Sequence, residues 1–158
     1  MPYEGHLSAT ARLLGFAGLL PQLFAVLLIV SGADAALGAL AAFAYAAMIL
    51  CFLGGIWWGF AMRAGEAQSW ITLLAVSPML LAFLCVLLRL FGATAGIVLV
   101  AIAVMLMLTL LVDRRLTSAG LTPPGWMALR VPLSLGLGTL TIFAAVLAPH
   151  GVNLIYTN

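Results

Sequence analysis

The sequence predicts an all-α fold: a polytopic membrane bundle of five transmembrane helices. Three observations carry this. Of 158 residues, 66% are hydrophobic and only 6% charged, with mean hydropathy +1.29; a soluble domain carries about 25% charged residues. Long apolar runs recur five times, each near the roughly 20 residues a helix needs to cross hydrocarbon with its backbone amides bonded internally. The charged residues gather in the short segments between the runs. The whole chain, 1–158, therefore reads as one transmembrane domain.

The lead-in, 3–12, is mixed polar and apolar and too short to span; it reads as an interfacial turn. The first span covers 13–30. Pro21 within it removes a backbone donor and predicts a kink, and Gln22 needs a partner at depth. Ser31, Gly32 and Asp34 form a turn with capping chemistry. Ala33, Asp34 and Ala35 have the small-residue look of a signal-peptidase site. The run before them is longer than a signal core, holds Pro21, and is preceded by one Arg and one Glu, so it reads as a retained span.

The second span, 36–62, carries small residues at helical spacing: Gly38, Ala42, Ala46, Gly55 and Gly59. Small residues four apart let a neighbouring helix approach closely, which holds helices together in lipid. This span is predicted to lie at the bundle centre. The third span, 69–88, is bent by Pro78 after Ser77 and closed by Arg89. The fourth, 93–112, is aliphatic nearly all round, with no preferred face, and is expected on the periphery. The charged triplet Asp113, Arg114 and Arg115 reads as a solvated helix end. Pro123, Pro124 and Gly125 interrupt the longest loop. The fifth span covers 129–147, with Arg130 and Pro132 in its first turn, where proline is tolerated; Gly136, Gly138, Ser134, Thr139 and Thr141 predict a packed face.

Five spans put the termini on opposite sides. Arg12, Arg63, Arg114, Arg115 and Arg130 share one side, and Arg89 alone lies on the other. Arginine marks the cytoplasmic side, so the N-terminus is expected in the cytoplasm and the C-terminus in the periplasm of a bacterial inner (plasma) membrane. Trp57, Trp58, Trp70 and Trp126 fall on the arginine-rich side. They read first as an interfacial belt. A sharper reading makes Trp57, Trp58, Arg63, Trp70, Trp126 and Arg130 a cytoplasmic rim for an anionic lipid headgroup or a quinone-like ring.

Chemistry has little foothold. Glu4, Asp34, Glu66 and Asp113 fall at helix ends or loops, and His6 and His150 lie outside the spans. A membrane enzyme or proton path would be expected to hold ionisable residues at depth. Cys51 and Cys85 lie in apolar runs and read as small hydrophobes. No catalytic residue, metal site or cofactor is predicted, and a charge of +2 gives no reason to invoke nucleic acid.

Three stretches carry a resemblance. They are LGFAGLLP at 14–21, ILCFLGGIWWG at 49–59, and Gly120 to Pro123 with Trp126 and LRVPL at 129–133. Together they resemble a family of small membrane proteins of unknown function, found in proteobacteria and, as a transmembrane protein, in mitochondria. The resemblance covers nearly the whole chain and implies about five helices and no activity. Members commonly carry histidine where Trp57 stands, so a role resting on that histidine is absent here or performed differently.

The function expected is that of an accessory or assembly partner of a membrane complex. It would work through the small-residue face of the second span and bind lipid bilayer, a membrane-protein partner or another copy of itself. The alternative is a small-molecule carrier or lipid- or quinone-binding protein with a cavity beside the kinked first and third spans. A polar cavity joining Pro21, Gln22, Ser77, Pro78 and Trp57 would favour the carrier. A solid bundle with an exposed small-residue groove would favour the partner.

Overall fold

The computed structural model describes residues 8–149. Glu4, His6 and His150, together with most of the lead-in and the C-terminal tail, lie outside them. Six α-helices follow in order: α1 Ala9–Ala17, α2 Leu20–Ser31, α3 Ala35–Ala61, α4 Gln68–Leu90, α5 Ala95–Ser118 and α6 Trp126–Leu147, with a 3-10 turn at Gly65–Ala67 before α4. There is no strand among the described residues. With α1 and α2 in series, five segments are long and apolar enough to cross a membrane.

The first span is interrupted at Pro21. Pro21 has no N–H for the Ala17 carbonyl; Gly18 and Leu19 stay right-handed, but their amides reach three residues back, to Gly15 and Phe16, before α2 resumes with Pro21 in its first turn. The Tyr45 hydroxyl of α3 donates to the Gly18 carbonyl at the break. One turn further on, buried Gln22 donates through Nε2 to Thr141 Oγ1 of α6 at 3.0 Å. The third span solves its proline locally. Pro78 deprives the Leu74 carbonyl of its usual donor, and the Ser77 hydroxyl donates to that carbonyl at 2.8 Å instead.

α3 lies at the centre, packing against α2, α4, α5 and α6. Its 27 residues extend about 40 Å. Gly38, Ala42 and Ala46 are buried on its inner face. A Cβ on Gly38 would lie 2.9 Å from the Ala25 carbonyl oxygen and 2.7 Å from Ile29, so α2 and α3 touch backbone to backbone. Gly55 and Gly59 differ. Both are exposed, and among the described residues no atom of another element lies within 4 Å of where their Cβ atoms would be. The close approach belongs to Gly54, whose absent Cβ would overlap the Ala75 carbonyl of α4 and touch the Pro78 ring. Neighbouring helix positions point about 100° apart, so one glycine of the pair meets α4 and the other faces outward.

α5 corrects the expectation of a peripheral helix. Val98, Leu99, Ile102, Ala103, Leu106, Thr109, Asp113 and Leu116 are buried along one face, and α5 packs against α3, α4 and α6. Composition could not reveal this, because in lipid the outward face is as apolar as the inward one. α5 also runs past the predicted end at 112. It stops only where Gly120 turns left-handed at φ 70°. There the amides of Leu121 and Gly120 return to the carbonyls of Leu116 and Thr117, each at 3.0 Å, which is a Schellman closure. α6 begins at Trp126, three residues before the predicted start. Pro132 therefore sits in its second turn, leaving the exposed Ala128 carbonyl without its usual donor.

Candidate functional site

The additional turns of α5 carry Asp113 inside the bundle. Thr109 and Asp113 are four residues apart and share the buried face of α5; Trp126 and Arg130 are four apart on the facing side of α6. Trp57 approaches from α3. Asp113 is fully buried and Arg130 is 6% exposed. Arg130 Nε donates to Asp113 Oδ2 at 2.7 Å. Trp57 Nε1 donates to Oδ1 at 2.9 Å, and Trp126 Nε1 reaches the same oxygen at 3.3 Å. Arg130 Nη2 donates to Thr109 Oγ1 at 3.2 Å, and Thr109 in turn donates to the Leu106 carbonyl at 2.6 Å. The Arg130 guanidinium lies 5.9 Å from the centre of the Trp126 ring, and Phe60 meets that ring edge-on at 5.6 Å.

The expected solvated helix end is therefore half right. Arg114 and Arg115 are exposed, but Asp113, which precedes them, is not. A carboxylate withdrawn from water persists only when a counter-charge and donors replace its hydration. Asp113 has one cation and two indole N–H groups. The result is a charged clamp binding α3, α5 and α6 at one end of the bundle.

The predicted rim divides accordingly. Trp57, Trp126 and Arg130 are drawn together around Asp113, with Trp57 only 2% exposed. Trp58, Arg63 and Trp70 remain exposed on the outer surface at the same end and take no part in the clamp. Trp57 and Arg130 are thus buried in the clamp rather than exposed beside Trp58, Arg63 and Trp70. Trp57 supplies a ring N–H to a buried carboxylate. Trp57→Phe removes that donor together with part of a buried ring and is expected to cost at least about 1–3 kcal/mol of stability, read from unfolding in mild detergent.

Sequence reasoning missed Asp113 and Thr109. The available signal was the opposed pair of four-residue spacings, Thr109 with Asp113 and Trp126 with Arg130, on helices adjacent in the chain.

The cavities are separate. One of about 120 Å³ lies between α3, α4 and α5, lined by Trp57, Ser77, Pro78, Met105 and Thr109 among others. Gln22 is buried against Thr141, and neither it nor Pro21 lines this cavity. A broader hollow of about 670 Å³ lies at the clamp end, lined by Phe60, Arg63 and the segment from Gly120 to Pro124. A slot of about 190 Å³ lies between α1, α3 and α6, with Arg130 and Ser134 in its lining. No cluster of His, Cys, Asp or Glu able to hold a metal occurs among the described residues. Cys51 and Cys85 are free thiols, the first half-buried and the second buried.

Five apolar crossings and an internal charged clamp define a multi-pass integral membrane protein with an all-helical bundle. The chain belongs to the family described as Protein of unknown function (DUF3429), which matches residues 7–146. No curated protein and no solved structure matches it.

Proposed function

We propose that this chain is a non-enzymatic accessory or assembly partner of a larger membrane complex, docking through the outer face of α3. One observation carries the reading. Met48, Phe52, Gly55, Gly59 and Met62 recur at alternating four- and three-residue steps along α3, and all five are exposed. That stripe is roughly 20 Å long. Gly55 and Gly59 form a G-x-x-x-G step with no neighbouring helix against it among the described residues, the geometry that lets a second helix approach at backbone distance. Methionine and phenylalanine flank the step with adaptable apolar surface. The occupant is a transmembrane helix of a partner subunit.

Orientation supports the same reading. The clamp end faces the cytoplasm and the opposite end the periplasm of the bacterial inner membrane. Arg130 lies inside the bundle, so the comparison rests on Arg12, Arg63, Arg114 and Arg115 against Arg89, a four-to-one bias that still favours this direction. Trp58 and Trp70, exposed at that end, serve as interfacial anchors and lie beside Arg63 in sequence, where anionic headgroups gather.

Gly55→Leu with Gly59→Leu tests the proposal with little disturbance of the fold, because a Cβ at either position would meet no other element among the described residues. Co-purification from native membranes in mild detergent should recover a stoichiometric membrane-protein partner with wild type. The double variant should lose at least nine-tenths of it while melting at the same temperature. An unchanged partner yield, or no partner with either protein, would refute docking through this face. Recovery of a second copy of the chain in place of another protein would refute the hetero-partner assignment.

A further inference from the structure

We propose that the slot between α1, α3 and α6 is a binding site for a lipid-soluble molecule with a neutral carbonyl oxygen on an apolar body. It shares Phe52 with the docking stripe of α3 but does not involve Gly55 or Gly59. The slot is about 190 Å³ and is lined mainly by leucines, with Ile49 and Phe52. Gly15 and Gly18 contribute backbone where side chains would otherwise intrude; a Cβ on Gly15 would already lie 3.2 Å from the methyl tips of Leu129 and Leu133. Leu14 and Phe52, both in the lining, are 66% and 63% exposed. The slot is therefore reached sideways, from the bilayer.

Two polar side chains interrupt this apolar lining, and each has unused hydrogen-bonding capacity. Ser134 is 3% exposed, and its hydroxyl has no hydrogen-bond partner among the described residues. This is unusual within the chain. The other two buried helix hydroxyls, Thr109 and Thr141, return to carbonyls of their own helices at 2.6 and 2.7 Å. An orphaned hydroxyl in an apolar bundle is costly unless something accepts from it. Arg130, one turn earlier on the same helix, also lines the slot. Its Nε and Nη2 are engaged by Asp113 and Thr109, which leaves Nη1 as a donor.

The charge state selects the ligand. Asp113 already balances Arg130 at 2.7 Å. An anion entering the slot would add an uncompensated charge in a low dielectric, whereas a neutral acceptor would not. Two donors four residues apart on α6 suit a carbonyl oxygen. The volume falls below the roughly 300 Å³ at which whole drug-sized ligands are enclosed. Only the carbonyl-bearing head enters, then, and the tail stays in lipid past Leu14 and Phe52. A prenyl quinone and a glycerolipid ester both answer this description.

The test is native mass spectrometry of the delipidated protein titrated with decyl-ubiquinone or, separately, with a diacyl phosphatidylethanolamine. Wild type should bind one of them saturably, one per chain. Ser134→Ala should weaken that binding about three- to tenfold, the loss of one hydrogen bond, without lowering thermal stability, since the hydroxyl it removes has no protein partner. Ser134→Val, which also fills the slot, should weaken it further. Saturable, Ser134-dependent binding of the quinone alone assigns the quinone class, and of the phospholipid alone the bilayer ester. Failure of both to saturate, or equal affinity in wild type and Ser134→Ala, overturns the site. Gly55→Leu with Gly59→Leu should bind as wild type does, so the docking proposal can fail while this one holds.

Discussion

Asp113→Ala is expected to lose about 3–5 kcal/mol of stability, the range for breaking a buried ion pair from one side. The substitution leaves Arg130 buried without a counter-charge and removes the acceptor from two indole N–H groups at once. Arg130→Ala should cost less, because the carboxylate keeps both tryptophan donors. The double variant, Asp113→Ala with Arg130→Ala, should lose clearly less than the sum, since no unpaired charge remains. Unfolding of the four proteins in mild detergent gives the cycle. Additive losses would mean that the two side chains do not act as a pair.

The second large effect comes from adjacent glycines. Gly54→Leu should destabilise the bundle by about 1–3 kcal/mol or more, the cost of forcing volume into a packed contact. Here the obstacle is the Ala75 carbonyl and the Pro78 ring rather than a flexible side-chain tip. Gly55→Leu should stay within about 0.5 kcal/mol of wild type, as surface changes do, with a small gain because leucine is the better helix former. Melting temperatures of the two single variants suffice. Equal losses would mean that α3 is rotated from the orientation described.

These predictions turn on details that the sequence revealed unevenly. The class was plain, because apolar length and the scarcity of charge admit few alternatives to membrane-crossing helices. Pro21 signalled a disruption and Gln22 a buried partner, and both lie where α1 gives way to α2. The rotation of each helix was hidden. α5 is aliphatic on its lipid face and on its bundle face, so its central position left no periodicity to read. The glycine pair posed the same difficulty: Gly54 and Gly55 are chemically identical, and only the position of α4 separates them. Asp113 was misjudged because a charged triplet resembles a helix end. The stop signal was Gly120, whose left-handed geometry closes the helix. Thr141 marked the inward face of α6, whereas Thr109, the matching signal on α5, was passed over.

The most direct test of the assembly reading is site-specific photo-crosslinking in native membranes. A photoreactive residue would replace Met48, Gly55, Gly59 or Met62 on α3, and Leu73, Met79 or Phe83 on α4 as equally exposed controls. The reading predicts one discrete protein adduct shared by the four α3 positions, strongest at Gly55 and Gly59, and none from α4. Adducts spread evenly over both helices, or only lipid adducts from all seven positions, would contradict it.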